Sequence, residues 1–367
     1  MSGHFSALLS APSEAGARIP VTVLTGFLGS GKTTLLNRLL HLPDLQGTAV
    51  IVNEFGEVGI DHDLITQSTD DTVLLANGCL CCAVRGDLVE ALLRLAGQPA
   101  PPRRVLIETS GLADPGPILR TLMGEPAVRR HFVLAGVACT VDAVLGLQTL
   151  QLHVEATRQA AVADALFLTK TDLLGRPPAP ELLAQLQQLN PGAAWHDRPG
   201  EQPQALRALL QSSRPEALDA AETAPAYRSL AAGPAGDSPG DASHTGDIRS
   251  FVIEREEPFS RARFATWLDM LIAMRGEDLL RVKGLVYLRE QPEQPMVVHG
   301  VQHLFSPPHS LPQWPRGERR TRIVFITRGM PREAVEDTLR IFESRRVRPP
   351  RAPATTSITT STPDPRT

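Results

Sequence analysis

Gly26-Phe27-Leu28-Gly29-Ser30-Gly31-Lys32-Thr33 lies between the β-branched run VTVL and the Leu-rich stretch TLLNRLL, and its reading decides the fold. Glycines at the first, fourth and sixth places let backbone N–H groups turn inward around a polyphosphate. Lys32 then reaches the β and γ oxygens, and Thr33, at the start of the following helix, offers its hydroxyl to magnesium. With Phe27, Leu28, Ser30 and Thr34 completing the lining, the stretch is a phosphate-binding loop flanked by the strand and helix that its physics requires.

Working outward, short β-branched runs alternate with amphipathic stretches: VTVL, LLNRLL, AVIV, VLLA, DLVEALLRL, RVLIET, PILRTLM, FVLAGVACTV and ALFLTK. That alternation predicts an α/β domain, a P-loop NTPase with a mostly parallel sheet, over residues 19–195. Its last helix is expected from Glu181 to about Leu189, before Asn190 and Pro191. Residues 196–247 turn to Pro, Gly, Ala, Ser and acidic residues and read as a disordered linker. A β-α-β-β-β-α order over 248–347 predicts a smaller α+β domain. Residues 1–18 read as a flexible N-terminal extension and 348–367 as a low-complexity, disordered tail.

The chain has 367 residues, 42% of them apolar and 21% charged, enough for two cores. A formal charge of -3 offers no basic excess for nucleic acid or an anionic membrane, and no apolar run is long enough to span a bilayer. The expected setting is cytoplasmic, with no nucleic-acid and no membrane partner.

Thr169-Lys170-Thr171-Asp172 ends the strand ALFL. It has the form of a guanine-recognition motif with Thr in place of Asn. The Asp172 carboxylate can accept from both N1–H and N2–H₂ of guanine, a bidentate contact adenine cannot make, while Lys170 lies along the base plane. GTP is therefore the expected nucleotide. Strand RVLIET delivers Glu108 where such enzymes place a carboxylate near magnesium; Glu108 acts through a metal-bound water or positions the attacking water, with Lys32 as the other catalytic residue. A local strand-end cap is the competing reading of Glu108. Gly111, just beyond, is the candidate γ-phosphate sensor.

The chain's four cysteines are Cys79, Cys81, Cys82 and Cys139, and the first three fall in one run, NGCLCC. Neighbours this close pair poorly as disulfides, so thiolate ligation of a transition metal is the favoured reading, with Zn2+, Co2+ or Cu+ preferred over Mg2+ and Zn2+ or Co2+ the expected cofactor. Buried structural cysteines or a redox pair are the alternatives. Cys139, in an apolar strand, reads as core. A further ligand is sought in the acidic segment Asn53–Asp63, where Glu54, Asp61 and His62 are candidates for magnesium, the transition metal or a water between them, against a plain solvated loop. His299, His303 and His309 are more doubtful ligands, because the i, i+4 spacing of the first two needs a helix and they follow the strand-like MVV.

Taken together, GFLGSGKTT, VNEFGEVGID, NGCLCC, VRGDL, ETSGLADP and LTKTD resemble, in order, the CobW family of P-loop GTPases, and the second unit resembles its C-terminal domain. The resemblance implies GTP hydrolysis coupled to metal handling. The phosphate loop runs from Gly26 to Thr34, the metal motif is Cys79, Cys81 and Cys82, the acidic strand-end residue is Glu108, and the guanine motif is Thr169 to Asp172. The implied partner is a client metalloprotein or a cobalamin-pathway enzyme. A regulatory GTPase with a structural metal, or a P-loop small-molecule kinase, are the alternatives, though a kinase leaves TKTD and CLCC unexplained.

Overall fold

The computed structural model describes residues 3–10, 18–40, 47–53, 72–75, 83–175, 177–196, 248–315 and 319–344. Cys79, Cys81, Cys82, Glu54, Asp61, His62, residues 197–247 and the tail at 348–367 lie outside them.

After the helix α1 (His4–Ser10), the elements run β1 (Ile19–Gly26), α2 (Lys32–Leu40), β2 (Thr48–Asn53), β3 (Thr72–Leu75), α3 (Ala83–Ala96), β4 (Arg104–Thr109), α4 (Gly116–Gly124), α5 (Pro126–Arg129) and β5 (Phe132–Asp142). They continue as α6 (Gly146–Leu152), α7 (Val154–Val162), β6 (Ala165–Thr169), α8 (Pro180–Leu189) and β7 (Ala194–His196). The seven strands form one sheet in the order β3-β2-β4-β1-β5-β6-β7. Every pairing is parallel. A parallel sheet covered on both faces needs near-continuous apolar strands, and Val21, Val23, Ile51, Val105, Ile107 and Phe167 are all buried. Helix α2 packs Leu35, Leu36 and Leu39 as a single apolar face against one side. α3 and α4 cover the other with Leu88, Leu92, Leu119 and Leu122. Because β1 lies between β4 and β5, the chain reverses direction across the sheet at the end of β1, the topological position at which such sheets bind ligands.

The second unit comprises β8 (Ile248–Arg255), α9 (Arg261–Arg275), β9 (Leu279–Leu288), β10 (Gln291–Val301), β11 (Leu304–Phe305), β12 (His309–Ser310), β13 (Thr321–Arg328) and α10 (Arg332–Ser344). Its sheet is antiparallel, in the order β11-β10-β9-β13-β8 with β12 beside β10. Ser260 starts α9 by accepting from the Arg263 N–H. One face of the sheet packs Val282, Val298 and Phe325 against Phe264, Trp267 and Leu268 of α9. The other packs Leu285, Val297 and Val324 toward Ala161 of α7.

The reading of residues 1–18 as a loose extension is corrected for His4–Ser10. There α1 inserts Phe5, fully buried, and Leu8 into the core of the second unit. The Phe5 ring meets Phe264 and Phe305 edge-on, with centroids 5.9 and 5.6 Å away. Asp269 of α9 caps the helix, accepting from the Phe5 N–H at 2.6 Å and the Ser6 N–H at 3.1 Å. A seven-residue helix is too short to form alone. It exists because a distant carboxylate and an apolar pocket hold it, and neither leaves a mark within residues 1–18.

Candidate functional site

At the carboxyl end of β1 the chain enters a tight loop in which Gly29 and Gly31 adopt φ of +73° and +90°, a region side chains disfavour. The buried Ser30 hydroxyl sits 2.6 Å from that of Thr140 on β5, tying the loop to the neighbouring strand. Lys32 is 8% exposed and donates to the Phe27 carbonyl at 3.4 Å, so its ammonium lies across the loop rather than in solvent. Phe27 stacks on His153 at 4.4 Å.

The next residue, Thr33, donates its hydroxyl to the Glu108 carboxylate at 2.8 Å. Glu108 is 2% exposed and stands on β4 in register with Leu24. A hydroxyl and an oxygen-donor carboxylate side by side at the start of a helix form a hard donor set that fits magnesium. The structure thus brings together two residues that are 75 positions apart in the chain.

Gly111 follows β4. A Cβ there would stand 2.6 Å from the Leu28 Cα, so the segment presses backbone to backbone against the phosphate loop, a closeness only glycine allows.

On the other side, Thr169 donates its hydroxyl to the Ser30 carbonyl at 2.6 Å, with the Val141 carbonyl a second acceptor at 3.2 Å. The guanine-type motif and the phosphate loop are therefore physically joined. Lys170 takes a left-handed conformation, φ 58°, and its ammonium reaches the Asp142 carboxylate at 2.7 Å. Asp142 also folds the turn after β5, its other oxygen accepting from the Val144 and Leu145 N–H groups at 2.8 and 3.1 Å. Asp172 lies exposed on the short turn Thr171–Leu173.

Two residues that the sequence reading missed belong to this region. One is Asp142, which pairs in register with Thr169 on β6. A carboxylate at the end of a parallel strand beside the TKTD strand was the signal available. The other is Gln159, an amide on the Ala-rich buried face of α7 that donates to the Gly111 and Ala113 carbonyls at 3.1 and 2.9 Å.

Cys139 sits in the core of β5; burial pushes its thiol up to about 12, so it stays protonated. Among the described residues no group of three or more His, Cys, Asp or Glu is placed to hold a metal ion. The three histidines are split. His299 and His309 lie in the seam between the two units, where burial pushes both down, His299 to about 3 despite the neighbouring Asp164. His303 lies elsewhere, against Gly276.

That seam is polar at its centre. Asp164, just beyond α7, accepts from Arg281 and from Lys283 of β9, the latter at 3.0 Å, and from the Val137 N–H at 2.9 Å. Burial alone pushes its carboxyl up, but Arg281 and Lys283 outweigh this and hold it well below the carboxylate range. Arg281 also donates to the Val162 carbonyl at the end of α7. Among the described residues no helix is long and apolar enough to cross a membrane.

Comparison with known proteins places this arrangement. Residues 20–197 match the CobW/HypB/UreG nucleotide-binding domain, and residues 248–343 match the cobalamin synthesis protein cobW C-terminal domain. The zinc chaperone YjiA of Escherichia coli is 32% identical over 323 residues, spanning 86% of this chain and 96% of that protein. The zinc chaperone CobW of a Sinorhizobium species is 35% identical over 185 residues, covering 43% of this chain and 52% of its own. The crystal structure of Zn(II)-bound YjiA GTPase superposes with a TM-score of 0.59 at 26% identity, over 89% of this chain and 99% of that one. The chain therefore belongs to the CobW family, carrying both its nucleotide-binding domain and its C-terminal domain.

Proposed function

We propose that this protein is a GTP-hydrolysing metallochaperone that binds Zn2+ or Co2+ at Cys79, Cys81 and Cys82 and passes it to a client metalloprotein. The observation that carries the reading is the joining of the phosphate loop to two flanking elements: Thr33 to Glu108, and Ser30 to Thr169 of the guanine-type motif. The relatives named as zinc chaperones support the metal half.

In this reading Gly26 to Thr34 wrap the phosphates, with Lys32 on the β and γ oxygens. Asp172 accepts from the guanine edge and Asp142 holds Lys170 beneath the base. Thr33 and Glu108 are the residues that would hold magnesium, which would supply charge neutralisation at the phosphates. Glu108 orients the attacking water. Gly111 donates its N–H to the γ-phosphate. Strands β2 and β3 are paired so that Asn53 stands beside Leu75 at their ends. In the chain, Glu54, a candidate metal ligand, follows β2 and the three cysteines follow β3. Thiolates shed protons on binding, so metal affinity falls with pH.

The test measures Zn2+ and Co2+ affinity by competition with a chromophoric chelator under Mg–GTP, Mg–GDP and no nucleotide, with phosphate release followed in parallel and a Cys81→Ser/Cys82→Ser control. Tight binding that requires Mg–GTP and disappears in the control is expected. Binding that ignores the nucleotide points instead to a regulatory GTPase with a structural metal.

A further inference from the structure

The segment after Gly111 is held from behind by a helix that the reaction does not otherwise use. Gln159 of α7 is fully buried, and its single amide nitrogen spends both protons on two carbonyls of that segment, Gly111 at 3.1 Å and Ala113 at 2.9 Å. Its orientation is fixed by chemistry, since the flipped amide would set an oxygen against two carbonyl oxygens. The amide oxygen, by contrast, is buried and has no hydrogen-bond partner among the described residues. A side chain that leaves its acceptor unsatisfied while placing both donors is kept for the donors.

Neighbouring contacts point the same way. Arg158, the preceding residue, reaches the Asp114 carboxylate at 3.6 Å, and the other oxygen of Asp114 accepts from the Gly116 N–H at 2.8 Å. The face of Gly111 toward the loop is in contact with Leu28. Gly111 is thus confined between the phosphate loop and Gln159, and the peptide whose N–H is offered to the γ-phosphate has little freedom to turn. The far end of the same helix is also fixed. Asn190 donates to the Ala160, Ala161 and Ala163 carbonyls at 2.9, 3.0 and 2.9 Å, and Arg281 of the second unit donates to Val162.

We infer that Gln159 is a positioning residue for GTP hydrolysis: it sets the Gly111–Ala113 backbone so that the protein distinguishes GTP from GDP, using α7, braced on the C-terminal unit, as its anchor. This rests on the GTP hydrolysis proposed above. A purely structural glutamine would affect stability and leave nucleotide discrimination alone.

The experiment compares wild-type full-length protein with Gln159→Met, which keeps the length and burial but has no donor. Affinities for GDP and for a non-hydrolysable GTP analogue are measured with magnesium, beside kcat and KM for GTP. The expected result is GDP affinity within about twofold of wild type, a loss of about tenfold in analogue affinity and a kcat about tenfold lower. An unchanged analogue-to-GDP ratio together with unchanged kcat overturns the inference. Arg158→Gln, at a partly exposed pair, serves as a second variant expected to shift the same ratio about two- to threefold in the same direction. If Gln159→Met fails to fold, an Arg158→Gln protein identical to wild type overturns the inference. A wild type that binds GDP yet neither hydrolyses GTP nor prefers the analogue overturns the hydrolysis reading as well, and that failure is seen without any variant.

Discussion

Replacing Asp164 by Asn keeps the size of the side chain and removes its charge from the centre of the seam. Arg281 and Lys283, with side chains 4% and 10% exposed, then lose the carboxylate of Asp164. Breaking a buried ion pair on one side costs about 3–5 kcal/mol. The lower end applies here, because burial already pulls the Lys283 pKa down and it can shed its proton, whereas Arg281 cannot. We therefore expect Asp164→Asn to lose about 3 kcal/mol in urea unfolding at pH 7. Removing Arg281 as well, in Asp164→Asn/Arg281→Met, takes away the stranded charge and should regain about 1–2 kcal/mol. The pH dependence has a definite sign. The folded pKa of Asp164 is depressed, so its contribution is complete above the unfolded value of about 3.9 and is lost as pH falls through the folded value below that. The part of the gap between wild type and Asp164→Asn that Asp164 contributes should begin to close below about pH 4. A loss at pH 7 under about 1 kcal/mol, or a double variant no more stable than the single, would refute the electrostatic account of the seam.

Three further outcomes are expected. Asp142→Asn keeps an acceptor for the turn at Val144 and Leu145 but loses the charge holding Lys170; titration with labelled nucleotide should show GTP and GDP weakened alike, by about three- to tenfold. Phe5→Ala empties a fully buried site beside Phe264 and Phe305 and should cost about 3–5 kcal/mol, read from tryptophan fluorescence in urea; a cost near zero would mean α1 does not hold the second unit together. His299 is kept neutral when folded, with its pKa near 3, and charges near 6.5 when unfolded, so its presence lowers stability as pH falls from about 6.5 toward 3, by up to about 1.4 kcal/mol per pH unit. His299→Gln should flatten that slope, as seen in urea midpoints at pH 7, 5.5 and 4.

The strand-turn-helix around Gly26–Thr33 and the parallel sheet were legible because each is written locally: a strand, a turn of small residues, then an amphipathic helix. The order of elements in the second unit was legible for the same reason, since alternation and helical spacing are properties of short windows. Asp164, Arg281 and Lys283 were not. Each looks like an ordinary surface charge in its own stretch, and only the packing of β9 on the end of α7 makes them one buried cluster, between residues 117 and 119 positions apart. Helix α1 was misread because its partners, Asp269 and Phe305, are more than 260 residues away. Gln159 lay between these cases. A lone amide among alanines on a buried helix face calls for a partner, but nothing in the sequence says the partners are carbonyls beside Gly111.

The Thr at the head of the guanine-type motif shows how a departure from pattern can keep its mechanical role. An Asn in that place would present an amide; Thr169 has one short hydroxyl and a β-branched stem. Gly31 makes the short reach sufficient. A Cβ on Gly31 would stand 3.5 Å from the Thr169 Cβ, so the two backbones approach closely enough for the hydroxyl to meet the Ser30 carbonyl at 2.6 Å. β-Branching leaves the Thr169 side chain few rotamers, and its position at the end of β6, in register with Asp142, fixes the backbone beneath it. One rigid hydroxyl thus joins phosphate loop to base motif, and Asp142, which holds Lys170, sits on the strand that supplies the second acceptor, Val141. Loop, β5 and β6 consequently form one braced unit along the nucleotide site, while the segment after Gly111 is anchored separately through α7. The substitution of Thr for Asn removes an amide from the motif without loosening its attachment to the phosphates' cradle.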